Sequence, residues 1–93
     1  MAARKRARKT YIEPGDLRSE LEDGIVIRDA RGGGYSVTAS GRFIDNGDDM
    51  REALRIAAAW AKRNNYYPNL FYVNDHGNVD LINSRGRVLE SWV

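Results

Sequence analysis

The sequence predicts a single α+β domain: a small antiparallel sheet in ββαβββ order with one main helix packed on one face. Three observations lead to this fold class. The chain has 93 residues and no Cys, which allows one domain and no disulfide. Its central part repeats apolar residues with the period of a helix. The segments on either side alternate apolar and polar residues, as half-buried strands do.

The positive charge is concentrated at the N-terminus. Residues 1–10 contain five cations and no acid, and Met1 is their one large apolar side chain, so they predict a disordered basic arm before a domain of residues 11–93. The whole chain carries +2, whereas residues 10–93, with ten basic and thirteen acidic residues, carry −3. The arm is therefore the first predicted nucleic-acid-binding segment, because Lys and Arg neutralise phosphates. Its cations are Arg4, Lys5, Arg6, Arg8 and Lys9.

The first part of the domain predicts a short helix and a β-hairpin. Residues 16–23 can form one or two helical turns. Two strand-like runs follow, at 24–30 and 35–44, and the Gly-rich stretch 31–34 supplies the positive φ angles of a hairpin turn. Unbroken alternation through the second run places Phe43 on the face of its other apolar residues.

The clearest element is a helix within residues 45–65. Asp49 and Glu52, three positions apart, make an Asp version of the capping box at its start. The apolar stripe that should face the sheet consists of Met50, Ala53, Leu54, Ala57 and Ala61, widened by Ile56 and Trp60.

The opposite face of this helix carries a basic stripe. Arg51, Arg55 and Lys62 recur at steps of four and seven, which places them on one side of the helix. Such a stripe can contact phosphates or an acidic protein surface. The alternative is an ordinary solvated face, partly neutralised by Glu52.

The last third predicts three strands, at 70–73, 79–83 and 88–93, joined by turns. Alternation in the last strand places Val88 and Trp92 on one face. If this strand is a sheet edge, its unpaired backbone groups could recruit a strand of a second copy, giving a homodimer, or a strand of a partner protein.

Aromatic residues are concentrated around the first of these strands. Alternation allows only some of them to face the core, so Tyr67 and Tyr72 are candidates for contacts with a protein or with nucleic-acid bases. The alternative is core packing with the hydroxyls at the surface. Trp92 is either a core residue or a third protein contact.

The residues predict neither an enzyme nor a cofactor. His76, the single histidine, could act as a general base beside Asp75, but no nucleophile is implied nearby, and a turn residue is the better interpretation. One His and no Cys leave no ligand set for a metal. No apolar run is long enough to span a membrane, and the absence of Cys fits a reducing cytoplasm.

With fewer than 100 residues, no Cys, one capped helix and tyrosine-rich strands, the chain resembles in its overall look the small accessory proteins of bacteriophages and mobile elements, including anti-CRISPR proteins. The resemblance implies a viral inhibitor that works by occupying a surface in the host cytoplasm. It implies no particular site residue.

The sequence thus predicts a small non-enzymatic binding protein. Its basic arm and its helix and tyrosine surface would dock on nucleic acid or on a nucleoprotein complex. The alternative is a phage-type, anti-CRISPR-like inhibitor that binds a protein through its sheet edge and exposed tyrosines.

Overall fold

The computed structural model describes residues 12–93, and within them it has two α-helices and six β-strands. A 3₁₀ turn at Pro14–Asp16 comes first. The elements are then α1 (Leu17–Asp23), β1 (Ile25–Asp29), β2 (Tyr35–Ala39), β3 (Arg42–Gly47), α2 (Met50–Asn64), β4 (Leu70–Val73), β5 (Val79–Ile82) and β6 (Val88–Trp92). The α+β class is confirmed.

The six strands form one sheet in the order β3-β2-β1-β4-β5-β6. Neighbouring strands are antiparallel except β1 and β4, which run parallel from the pair Ile25 and Leu70 to the pair Arg28 and Val73. The parallel pair arises because α2 carries the chain across one face of the sheet before β4 begins. The predicted antiparallel sheet in ββαβββ order is therefore wrong in detail, since the sheet is mixed and three strands precede the main helix.

The additional strand results from a turn inside the run 35–44. Ser40 and Gly41 both have positive φ, 51° and 78°, as a two-residue hairpin turn requires. The run is thus split between β2 and β3, and Thr38 pairs with Phe43 across the turn. The prediction that Phe43 shares the inner face is wrong: its side chain is 61% exposed.

α2 covers one face of the sheet by packing against β2 and β3. Small side chains allow the close approach, because the three buried positions of the helix are all alanine. They are Ala53, Ala57 and Ala61, and they form one buried cluster with Ile27 and Val37 of the sheet. The helix also lies close over Gly47, where a Cβ would come within 2.8 Å of the Ala53 backbone nitrogen.

A second apolar cluster lies on the opposite face, beneath α1. Phe71 and Val26 are fully buried there, and Leu17 and Leu21 of α1, four positions apart, pack against this cluster. Ile12, the first described residue, is buried in the same cluster. The chain therefore enters the domain on the face away from α2.

β6 is an edge strand, and a bulge in its pairing with β5 alters which side chains share a face. Val88 pairs with Ile82, which belongs to the cluster beneath α2, whereas Trp92 pairs with Val79, which belongs to the cluster beneath α1. The predicted common face of Val88 and Trp92 is therefore wrong. The extra residue of the bulge is Leu89.

Candidate binding surface

The solvent side of α2 presents the predicted basic stripe. Asp49 caps the helix, its Oδ1 accepting from the Glu52 amide at 2.8 Å, so the predicted cap is confirmed. The cap fixes the start of the helix and hence the direction of each side chain along it. Arg51, Arg55 and Lys62 are all exposed on the side away from the buried alanines.

These cations are not neutralised by neighbouring acids in the part of the chain that the structure describes. Within residues 12–93, the one Arg or Lys side chain with a carboxylate oxygen within 4.0 Å is Arg18, which pairs with Glu22 on α1 at 3.8 Å. Glu52 instead accepts from the Asp48 backbone amide at 2.7 Å. The positive charge of the stripe is therefore available to a ligand.

The two faces of the sheet differ in sign. α2 contains four basic residues and one acid, a net charge of +3. On the opposite face, residues 13–23 contain five acids and one base, a net charge of −4. Although the described body is acidic as a whole, the surface over α2 is cationic.

Tyr67 lies exposed at the end of this cationic surface, just beyond the C-terminus of α2. Its side chain is 70% exposed, which agrees with the candidate contact inferred from the sequence. Its neighbour Tyr66 is 45% exposed and packs edge-on against Trp60, with 6.2 Å between ring centroids. Tyr67 therefore offers a ring face that a base or a protein side chain could cover.

Tyr72, the second tyrosine predicted as a contact, is half-buried and held in place by a network of hydrogen bonds. Its hydroxyl donates to Asp29 Oδ1 at 2.6 Å, and Asp29 Oδ2 accepts from the Asp75 amide at 3.1 Å. Its ring packs edge-on against Tyr35 at 6.1 Å. Burial, followed by the hydrogen bond to Asp29 and the negative charge there, raises the pKa of Tyr72 well above 10.0.

An apolar groove of about 410 Å³ opens between α2 and the strands that α2 leaves uncovered. The helix wall is formed by Leu54, Ala58 and Ala61, and the sheet wall by Leu70, Ile82 and Leu89, and Tyr67 also lines the groove. Leu89 is 46% exposed. None of the described residues that line the groove is charged.

No periodicity or motif in the sequence predicts this groove. Two features create it, namely the parallel pairing that adds β4, β5 and β6 beside β1, and the bulge at Leu89. The local sequence offers only the two exposed alanines at positions 58 and 59, of which Ala58 lines the groove.

Trp92 and edge strand β6 lie away from the basic stripe of α2. Trp92 is half-buried against the cluster beneath α1, on the face away from the groove and the basic stripe. Strand β6 has β5 on one side and no strand on the other among the described residues. The structure therefore separates the three predicted protein contacts, because Tyr67, Tyr72 and Trp92 do not share one patch.

His76 lies in the exposed turn between β4 and β5. Its imidazole Nε2 is 3.7 Å from the Asp75 carboxylate, and its backbone amide donates to Asn74 Oδ1 at 2.9 Å, as in an Asx turn. In the part of the chain from residue 12 onward, no three His, Asp or Glu side chains are grouped to hold a metal ion. The five arm cations lie outside the described residues.

No helix in the described part of the chain is both long enough and apolar enough to cross a membrane. A comparison with protein-family models, with curated proteins and with solved structures returned no match to this chain.

Proposed function

We propose that the chain is a non-enzymatic binding protein that docks on nucleic acid, or on a nucleoprotein complex, through its basic arm and the solvent face of α2. The observation that carries the proposal is the stripe of Arg51, Arg55 and Lys62, exposed and without a carboxylate partner among residues 12–93. Unpaired cations at steps of four and seven follow one side of a helix, which suits a row of phosphates. Tyr67 beyond the helix end offers a stacking surface.

The test removes two charges from α2 and compares the result with a matched change on the opposite side. Each phosphate contact changes the slope of log K against log salt by about −0.9 on duplex DNA. The double variant Arg51→Ala with Arg55→Ala should therefore make the slope shallower by about 1.8. The control, Arg18→Ala with Arg28→Ala, removes the same charge from the α1 side, where both side chains line one depression, and should leave the slope unchanged. Fluorescence anisotropy with labelled duplex DNA and an RNA hairpin measures both, and equal slopes for the two variants would contradict the proposal.

A second candidate function is protein inhibition by occupation of a surface, as in the alternative derived from the sequence. The observation that favours it is edge strand β6, whose outer backbone groups can pair with a strand of a partner or of a second copy. Tyr67, exposed on the α2 side, supplies an aromatic anchor of the kind common in protein interfaces.

Truncation of Tyr67 tests the second candidate. Tyr67→Ala should weaken binding to a protein target by about 1–3 kcal/mol, the usual range for an aromatic anchor. The matched change Phe43→Ala removes a ring of similar exposure, 61% against 70%, from the opposite edge strand and should cost much less. Isothermal titration calorimetry with the purified target measures both, and no loss for Tyr67→Ala excludes Tyr67 as an anchor.

A further inference from the structure

We propose that the apolar groove between α2 and strands β4–β6 binds an amphipathic helix of a partner protein that carries acidic residues along one flank. The proposal goes beyond the proposed function and does not depend on phosphate binding. It rests on the dimensions of the uncovered sheet, on the lining of the groove and on the charge at its rim.

The uncovered half of the sheet has room for one helix. α2 packs mainly over β2 and β3, and no helix of the described structure packs on the same face of β4, β5 and β6, where Ile82 is buried in the cluster beneath α2 but Val88 and Leu89 are 51% and 46% exposed. Three strands at a spacing of about 4.8 Å present a surface roughly 14 Å wide. A helix with its side chains is about 10–12 Å across, and two helices pack about 8–10 Å apart. A second helix beside α2 would complete the layer that an α+β sheet normally carries.

The lining of the groove suits apolar anchors. Leu54, Leu70 and Leu89 line it, and the Leu54 side chain also lies close to Gly86 of the β5–β6 turn. Helices that bind in such grooves insert apolar side chains at positions i, i+3 or i+4, and i+7. A nucleic acid would bring phosphates and polar base edges to an apolar floor that cannot hydrogen-bond them, so the lining favours protein over nucleic acid.

The rim of the groove carries positive charge. Ala58 lines the groove. At about 100° per residue around the axis of α2, Arg51 is rotated about 20° from Ala58 and Lys62 about 40°, so both lie at the edge of the groove. Arg85 follows Ser84, another lining residue, in the turn beyond the opposite wall. Asp80, two positions before Ile82 on β5, accepts from the Ser91 hydroxyl at 2.6 Å and lies towards the other end of the strand. Charge complementarity therefore calls for acids on the flank of the bound helix that faces α2.

Segments of this chain do not meet these requirements. Residues 1–10 are cationic and would be repelled by Arg51 and Lys62. α1 is acidic, but its two leucines pack inward, so it offers a second copy no apolar anchors. The occupant is thus a different protein.

Selection of peptides by the full-length chain tests the proposal. A phage-displayed library of random peptides, panned on the immobilised protein, should enrich sequences with apolar residues at helical spacing and Asp or Glu between them. The probe is then the enriched peptide, synthesised with a fluorescent label.

Two variants of α2 locate the binding site of this peptide. Ala58→Glu should weaken its binding by roughly tenfold or more, as expected for a blocked interface centre. Ala59→Glu adds the same charge to the next exposed position of α2, outside the groove, and should change the affinity by less than about twofold.

Several results would overturn the proposal. These are a library that yields no binder, binders without acidic residues, or equal effects of the two Glu variants. Nucleic-acid binding that Ala58→Glu weakens and Ala59→Glu does not would assign the groove to nucleic acid instead. A dimer in sedimentation that Ala58→Glu alone dissociates would assign it to a second copy. Thermal unfolding by circular dichroism checks that both variants remain folded, and the anisotropy slopes of the α2 variants are measured separately, so either proposal can fail alone.

Discussion

At the scale of single residues, Tyr72 couples the stability of the domain to pH. The folded chain holds the Tyr72 proton, because burial and the Asp29 carboxylate raise the pKa of this hydroxyl well above 10.0. The unfolded chain loses that proton at about pH 10, the usual pKa of tyrosine. The bound proton therefore contributes fully to the free energy of unfolding below about pH 10, and this contribution is lost as the pH rises towards the folded pKa.

We therefore expect the free energy of unfolding to fall as the pH rises above about 10, and to fall less in Tyr72→Phe, which has no proton to lose. Tyr72→Phe should also lower the stability at neutral pH by about 1–3 kcal/mol, because the Asp29 carboxylate loses a hydrogen bond. Urea unfolding at about pH 8 and about pH 11 measures both effects. Tyr67→Phe is the control, and it should follow the wild type at both values because its ring is exposed. An unchanged pH dependence in Tyr72→Phe would contradict the expectation.

The local pattern predicted the exposure of Tyr67 but not the half-buried position of Tyr72, for a physical reason. Tyr67 follows the helix and precedes a strand, so no regular element turns it inward. Tyr72 lies within β4, and its environment depends on Asp29, 43 positions earlier in the chain. Only the parallel pairing of β1 and β4 brings the two together, and no local period encodes that pairing.

At the scale of elements, α2 depends on its cap. Asp49→Ala removes the acceptor for the Glu52 amide and should lower the free energy of unfolding by about 0.5–2 kcal/mol. Asp48→Ala is the matched control, because Asp48 contributes a backbone amide that survives the substitution. Both variants lose one negative charge near the helix N-terminus, so their difference isolates the cap from the helix dipole. Urea unfolding measures this difference in the free energy of unfolding. Equal losses in the two variants would show that the lost charge, and not the lost cap, causes the destabilisation.

The elements differ in how far the sequence predicts them. α2 is encoded locally, by its cap and its 3.6-residue period, and its predicted core and solvent faces agree with the structure. The sheet depends on single turn residues and on pairing between distant strands. Ser40 and Gly41 reverse the chain within what looks like one strand, and the bulge at Leu89 moves Val88 away from the face of Trp92. The groove follows from the parallel pairing of β1 with β4 and from the bulge at Leu89, and no local period encodes either of them, so the groove could not be predicted.

At the scale of the whole molecule, charge is separated into three parts. The first nine residues carry five positive charges, α2 carries +3, and residues 13–23 on the opposite face carry −4. A net charge of +2 therefore describes no surface of the protein. Within the described domain, a polyanion would be attracted to the surface of α2 and repelled by residues 13–23.

This separation makes the contribution of the arm measurable by itself. If its five cations and the three of the α2 stripe all contact phosphates of duplex DNA, log K against log salt should have a slope of about −7, with about −4.5 from the arm and about −2.7 from the stripe. Deletion of residues 1–9 should reduce the slope to about −2.7, and replacement of the five cations by Gln should do the same at full length. Agreement between these two variants shows that charge, and not chain length, is responsible. A slope that neither variant changes would show that the arm makes no phosphate contact, and binding would then depend on the α2 surface alone.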